Sequence, residues 1–572
     1  MYLKNLEIYN DDKLIRKIDF QIGLNFIVDN TPVNELNETG NNVGKTTVLK
    51  IIDFCLDANP KHIYTDEENQ KNIYHLVKDH LTKKETLFKL ILCNNSSLDA
   101  NTVTIERNLL RGKKMINRIN GENILKKDFE EKLKTLLFPK VGRTKPTFRQ
   151  LIAHNIRYKQ SSIFNTIKHL DKYTTDLEYE TLYLELLGCN YDQSENKKNI
   201  TDCLKKETQM LKRILNNRTK SEYEIAHNYL IDEIKILEKR KRSLNINESL
   251  NEDFEALNRL SFKIGNRSSE LSNIEMKIQL IEETTRDLSN AKSDIDTNFL
   301  KQIYSQFKVF NPDTHKTFEE LVEFHNNMID ERNKFVRKDL PLLKESKAHL
   351  VNVITGLSKE EKDLSKKVTR SDTFKDLEDI LKEINDKYRV LGEHELRISQ
   401  INESEELIEE LKGELHDIET FLFSDDYEIL VKNKVTEFNK FFSSVSKELY
   451  GEKYALSYEI RESKIGDKYY QFTAFNTNFS SGKKQGEVLC FDIAYTLYAE
   501  NEEIDTLKFL LNDKKELMHD NQLINTANYL VDKDLQLVIS ILKDKLPSKL
   551  QKDDNIVLEL ATNDKLLRIE NE

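Results

Sequence analysis

A seven-residue recurrence of aliphatic side chains between about residues 195 and 430 constrains this chain more than any other feature. Leu230, Leu237 and Leu244 stand seven apart, as do Leu250, Leu257, Ile264, Leu271 and Ile278. The spacing returns at Leu343, Leu350, Leu357 and Leu364, and again at Leu377, Ile384 and Leu391. Such a period turns one narrow apolar seam toward a partner helix and leaves the other positions charged, the condition for a coiled coil. Helix breakers are sparse here: no proline occurs between Pro146 and Pro312, and only Gly265, Gly356, Gly392 and Gly413 fall between 191 and 430. Charged residues make up 33% of the 572 residues and Trp is absent, which suits long solvated helices better than a single globule. The heptads shift phase more than once, so interruptions are expected.

Between the two heptad blocks lies "YSQFKVFNPDTHKTFEELVEFHNNMIDERNKF" (304–335), where Pro312 and Asp313 signal a turn. The expected arrangement is one antiparallel hairpin, with an ascending arm over 191–303, a tip over 304–335 and a descending arm over 336–430. Roughly 100 helical residues per arm would make a rod on the order of 150 Å. A compact helical domain and an intermolecular parallel coil are the alternatives. Folding back lets 431–572 rejoin 1–190 as one head.

Both flanks read as mixed α/β. "GLNFIV" (23–28) has the look of a buried strand, "TVLKIIDFCL" (47–56) places apolar residues at helical spacing, and "ETLFKLIL" (85–92) and "NTVTIER" (101–107) suit strands. "KKMINRINGEN" suggests a hairpin turning at Asn120-Gly121. After 430, "KYALSYEIRE" (453–462) and "KYYQFTAFN" (468–476) alternate in period two. "LKFLLND" (507–513), "LQLVISIL" (535–542) and "NIVLELA" (555–561) read as further, more buried strands.

Chemistry concentrates at "TGNNVGKTTVLK" (39–50). A phosphate loop needs glycines so that backbone N–H groups can close on phosphate oxygens, a lysine to meet the β/γ charge, and a hydroxyl for Mg2+ at a helix start. Gly44, Lys45, Thr46 and Thr47 supply the last parts in order, with Gly40, Asn41 and Asn42 ahead of them. The first part departs from pattern, since Thr39 stands where the leading glycine belongs, Gly40 is one place late, and 29–38 lengthen the loop. A second carboxylate must come from the far half, and Asp513 at the end of "LKFLLND" can face Thr46 across a Mg2+ water shell. In "NFSSGKKQGEVLCFDIAYTLYA" (478–499), Ser480, Ser481 and Gly482 precede an amphipathic helix, suited to an anion or, more plainly, to an ordinary N-cap.

Other classes recede. The five cysteines are scattered singly, the 12 histidines form no metal-ligand spacing, and no Cys-x-x-Cys marks a zinc-bridged tip. No run of about 18 apolar residues and no signal-type N-terminus occur, so a cytoplasmic protein is expected. Net charge is −11, yet residues 101–160 hold 15 Lys and Arg against 5 Asp and Glu, a local basic face.

The order of phosphate loop, heptad hairpin, serine-glycine helix start and apolar strand ending in Asp resembles the ABC-type ATPases of the structural maintenance of chromosomes (SMC) class. "GLNFIV", "GKTTVLKIIDFCLDA", "FHNNMIDERNKF" and "GEVLCFDIAY" are further similar to the SMC-like subunit of Lamassu-type phage-defence systems. The resemblance implies an ABC-type head built from the N- and C-terminal segments, dimerising around ATP and Mg2+. Gly44, Lys45 and Thr46 of one chain would meet Ser481 and Gly482 of the other, and Gln160, with Gln150 as its rival, would help hold Mg2+. It implies double-stranded DNA across the engaged heads, bound without sequence preference through Arg107, Arg111, Lys113, Lys114, Arg118, Lys126 and Lys127. A small head-bridging subunit and an effector subunit would be partners.

Two departures bear on hydrolysis. Lys514 occupies the place of the hydrolytic glutamate, with Glu516 two residues on, and Ser540 and Lys543 stand where a histidine sensor is expected. A charged lysine cannot serve as general base, so ATP binding with slow or conditional turnover is expected. A repair or recombination ATPase without defence partners, and a scaffold with a vestigial phosphate loop, are the alternatives.

Overall fold

The structure, a computed structural model, describes residues 1–31, 43–66, 72–95, 97, 101–110, 112–142, 144–171, 173–189, 191–243, 251–293, 334, 337–368, 373–463, 466–477, 484–513, 520–551 and 555–569. Gly40, Asn41, Asn42, Arg111, Ser480, Ser481, Gly482, Lys514, Glu516 and nearly all of the expected tip lie outside them, as do the side chains of Lys113 and Gln160. The chain forms two units, Met1–Thr201 with Glu414–Glu572, and Asp202–Gly413.

In the first unit, strands from both chain ends are interleaved. Five of them, β3 (Gly23–Asp29), β8 (Ile156–Arg157), β11 (Phe509–Asn512), β12 (Gln536–Leu542) and β13 (Ile556–Leu560), form a parallel sheet in the order β13-β3-β12-β11-β8. Phe26, Ile27 and Val28 of β3 and Leu537, Val538 and Ile539 of β12 are fully buried, the continuous apolar run expected of a covered parallel strand. An antiparallel sheet carries β1 (Tyr2–Asn10), β2 (Lys13–Asp19), β4 (Thr86–Cys93), β5 (Thr102–Asn108), β6 (Asn117–Ile119) and β7 (Glu122–Asn123) in the order β2-β1-β4-β5-β6-β7. Asn120 and Gly121 both take positive φ, 51° and 82°, as a tight hairpin turn demands. Helix α1 (Lys45–Cys55) lies between the sheets, touching β3 and β12 of one and β4 and β5 of the other, with Val48, Leu49, Ile51 and Ile52 fully buried. Gln536 stitches the two sheets, accepting from Leu3 N–H at 2.7 Å and donating to Leu3 C=O at 2.8 Å. A two-stranded ribbon, β9 (Tyr454–Glu462) with β10 (Lys468–Asn476), completes the strands among the described residues.

The unit reaches beyond the expected head boundaries because helix ends pack onto that ribbon. Lys197 donates to the Lys468 carbonyl at 2.7 Å and pairs with buried Glu180 at 2.8 Å, which in turn accepts from Tyr470 N–H at 2.8 Å. The Glu419 carboxylate accepts from Lys468 N–H at 2.8 Å, and the Tyr470 hydroxyl donates to the Leu422 carbonyl at 3.0 Å.

The second unit corrects the expected two-armed hairpin. Helix Lys220–Ser243 runs antiparallel to Thr373–Leu422, with Lys220 on Glu405 at 2.7 Å and Lys387 on Glu233 at 2.9 Å. Helix Asn251–Ser293 runs antiparallel to Leu340–Val368, with Lys347 on Glu275 and Lys344 on Glu282, both at 2.9 Å. The same helix, however, lies parallel to Thr373–Leu422. A Cβ on Gly265 would come within 3.1 Å of the Tyr388 ring, and one on Gly392 would overlap the Ser269 hydroxyl and stand 2.7 Å from Ser269 Cα. The chain therefore reverses between Ser243 and Asn251 and again between Val368 and Thr373, so that four segments alternate in direction. Physically, a heptad seam demands a partner without naming it. The seam buries Leu237, Leu257, Ile264, Ile278, Leu350, Ile384 and Leu391 in the folded-back register instead.

Candidate functional site

The carboxyl ends of parallel strands are where ligands of such sheets bind, since helix N-termini converge there. Gly44, at the start of α1, is left-handed at φ 102°, and a Cβ there would stand 2.8 Å from Leu566 Cβ. Only glycine tolerates both the dihedral and the approach. Leu566 N–H donates to the Val43 carbonyl at 3.1 Å, which ties segment 561–569 to the residue before Gly44. Among the described residues no side chain caps α1 and no acid occupies its first turn, an arrangement that suits an anion at its leading N–H groups.

Next along α1, the Thr46 hydroxyl meets both carboxylate oxygens of Asp513, at 3.2 and 3.1 Å, across 467 residues of sequence. Asp513 is 4% exposed and immediately follows β11, and its N–H donates to the Arg157 carbonyl at 2.9 Å. Lys45 Nζ lies 3.4 Å from Asp29 Oδ2 at the end of β3, both side chains being almost wholly buried. Asp29 was not among the residues singled out from sequence, although "NFIVD" ends an apolar run in an acid much as "FLLND" does.

Of the two glutamines, Gln150 is occupied. Its side-chain oxygen accepts from Thr147 N–H at 2.9 Å while Thr147 Oγ1 accepts from Gln150 N–H at 3.3 Å, a capping box. Gln160 opens the helix Gln160–Phe164, three residues after the carbonyl that anchors Asp513. The intervening segment is held by buried partners. Arg157, wholly buried, forms a two-pronged pair with Asp492 of helix Lys484–Asn501 at 3.0 and 2.7 Å, and also donates to the carbonyls of Ser162 and Asn165 at 3.1 Å. Thr166 donates to Glu487 on the same helix at 2.6 Å. Within α1, buried Asp53 takes Arg149 and the Tyr158 hydroxyl, each at 2.6 Å. Burial, aided by the Lys159 charge, pushes His62 down to about 4, so its imidazole is neutral near pH 7.

The set fits a Mg2+–nucleotide: an uncapped helix start behind an obligatory glycine, an adjacent lysine, and a hydroxyl opposite a carboxylate. Ser540, 2% exposed, lies on the central strand, while Lys543 turns away to Glu559 at 2.6 Å. Among the described residues no cluster of three or more His, Cys, Asp or Glu side chains is placed to hold a metal by itself.

The basic segment needs correction. Arg107 is 3% exposed, ion-paired with Asp57 at 3.0 Å, donating to the Asn117 side chain at 2.9 Å and stacked over Phe54 and Phe129 at 4.4 and 4.6 Å. It is a core strut and cannot reach a phosphate. Lys134, Arg149 and Arg157 are likewise spent on internal partners. Lys126 and Lys127 are exposed; Lys114 is exposed but paired with Glu85 at 2.8 Å, and Arg118 sits 3.5 Å from Glu106. A cleft of about 450 Å³ lined by Lys78, Thr82, Lys83, Leu110 and Lys114 extends this face. Among the described residues no helix is long and apolar enough to cross a membrane.

Residues 445–571 match a family model described as an uncharacterised protein conserved in bacteria (DUF2326). No curated protein matches the chain. Among solved structures, the chain is similar to the Smc head domain with a coiled coil and joint from Pyrococcus yayanosii, at 15% identity, 94% coverage of this chain, 92% of that chain and a TM-score of 0.36. It is also similar to the Smc head domain with an extended coiled coil bound to the C-terminal domain of ScpA from Pyrococcus furiosus, at 13% identity, 95% and 90% coverage and a TM-score of 0.36. The recombination mediator protein RecF with ATP is similar at 11% identity, 96% and 94% coverage and a TM-score of 0.30. These likenesses are loose, and the chemistry of the site rests on its own geometry.

Proposed function

We propose that this chain is an SMC-like ATP-binding subunit whose heads dimerise around nucleotide and which senses or tethers double-stranded DNA, controlling an effector in a cytoplasmic bacterial antiphage-defence complex. The observation that carries the nucleotide reading is the meeting of Thr46 with Asp513 at the carboxyl ends of a sheet woven from both chain ends. In that reading the α1 N–H groups and Lys45 hold the phosphates, and Thr46, Asp513 and Gln160 hold Mg2+, which supplies charge neutralisation between the phosphates. Gln160 is favoured over Gln150 because the latter's oxygen already caps its own helix.

Ser480, Ser481 and Gly482, ahead of helix Lys484–Asn501, are assigned to the partner protomer's nucleotide. The Arg157–Asp492 pair then ties that helix to the strand beside Asp513. Lys126, Lys127, Lys114 and Arg118 remain as surface positions for phosphate contact, with Arg107 withdrawn. Turnover is assigned as slow or conditional because Lys514 replaces the usual base, and Glu516 is the residue to test. The defence role and the head-bridging and effector partners rest on the sequence resemblance alone.

Equilibrium ATP binding tests the core of this reading: wild type should bind with Mg2+ and Lys45→Ala should not. Equal binding by both proteins would instead favour a scaffold with a vestigial loop. Purification from the native host, with identification of co-purifying chains, tests the partners, and a chain that purifies alone in the presence of ATP and DNA speaks against them. Unchanged hydrolysis in Glu516→Gln discards that assignment.

A further inference from the structure

We infer that Asp29 is an electrostatic lock on the phosphate-binding lysine, setting how much nucleotide is needed before the head engages. This deepens the ATP reading above and rests on it. Asp29 ends β3 at 3% exposure, and its two oxygens divide their work. Oδ1 accepts from Thr31 N–H at 2.9 Å and from the Thr31 hydroxyl at 2.6 Å, fixing where the chain leaves the strand. Oδ2 faces Lys45 Nζ at 3.4 Å, and the lysine is itself 8% exposed.

A triphosphate drawn to the start of α1 must share that ammonium with a carboxylate already beside it. Two anionic groups then compete for one cation in a region poor in water, where their mutual repulsion is weakly screened. Neutralising Asp29 while keeping its shape should therefore favour the nucleotide-bound state. The effect should grow with phosphate charge, because the lock acts on charge and not on loop shape.

Asp29→Asn is the direct test, since the amide retains an oxygen for both Thr31 hydrogen bonds and turns a neutral NH2, which cannot accept from the ammonium, toward Lys45. Calorimetric titration with Mg-ATP and with AMP should show Asp29→Asn binding ATP about tenfold more tightly than wild type, with little gain for AMP. Asp29→Ser, smaller but also neutral, should move in the same direction, and urea midpoints establish that each variant is folded. Thr31→Val, which removes the hydroxyl bond and leaves the ion pair, should bind like wild type.

Equal or weaker ATP binding by the neutral variants overturns the lock, as does an equal gain for AMP or a Thr31→Val protein that matches Asp29→Asn. The absence of saturable ATP binding in wild type and Asp29→Asn alike would overturn the nucleotide reading itself, and the lock with it.

Discussion

Removing either member of the Arg157–Asp492 pair should loosen the strand-end face around Asp513 more than any change to a surface charge. Both side chains are fully buried, joined by bonds of 3.0 and 2.7 Å, and the guanidinium also serves the carbonyls of Ser162 and Asn165. Arg157→Met would strand a buried carboxylate and those carbonyls, and breaking such a pair typically costs about 3–5 kcal/mol. Asp492→Leu should cost a similar amount by stranding the guanidinium. The double variant Arg157→Met/Asp492→Leu should cost less than the two singles together, by about 2 kcal/mol or more, because neither charge is then left alone. Hydrogen exchange on the full chain reads this locally. If the segment opens by sub-global unfolding, amides in 156–166 and 484–501 should exchange about a hundredfold to a few thousandfold faster in each single variant. The double variant should recover much of that protection. A single variant with unchanged exchange and a destabilisation under about 1 kcal/mol would refute the strut.

Other consequences are as direct. Burial drives the His154 imidazole down to about 3 from 6.5, so the unfolded chain takes up the proton first as pH falls. The associated stability is intact above 6.5 and lost progressively toward 3, on the order of 5 kcal/mol in all. The difference between the stability–pH curves of wild type and His154→Phe isolates it, and parallel curves would refute it. In the second unit, Gly392→Ala should lower the urea midpoint by the equivalent of about 1–3 kcal/mol through its overlap with Ser269. Gly413→Ala, whose Cβ would meet nothing within 4 Å, should raise it by about 0.5–1 kcal/mol. The same sign for both would contradict the parallel helix contact.

What could be read beforehand follows from what leaves a local trace. The long apolar runs β3, β12 and β13 and the alternating strands β9 and β10 carry their own periodicity, as does α1 behind Gly44. The strand β8 has only Ile156 and Arg157, too few residues for any period, although it seats the segment that supports Asp513. A basic count over 101–160 cannot separate Arg107, stacked in the core, from Lys126 on the surface, because charge is written in the residue and its partner is not. The folded-back helices escaped for the same reason. The seam slips between Leu244 and Leu250, six apart, and between Leu364 and Leu377, thirteen apart, close to both reversals. A phase slip records a break in a seam without recording a change of direction.

The interleaving of the parallel sheet also bears on how the protein is made. Strand β3, ending at Asp29, takes its two neighbours from β12, which begins at Gln536, and β13, which ends at Leu560. At synthesis rates of about 5–20 residues per second, Phe26, Ile27 and Val28 leave the ribosome roughly 25–100 s before either flanking strand exists. During that interval both edges of an oily segment stand open to any other nascent strand. Production of this protein should therefore depend on holdase chaperones, and slowing translation without them should shift the product toward aggregates.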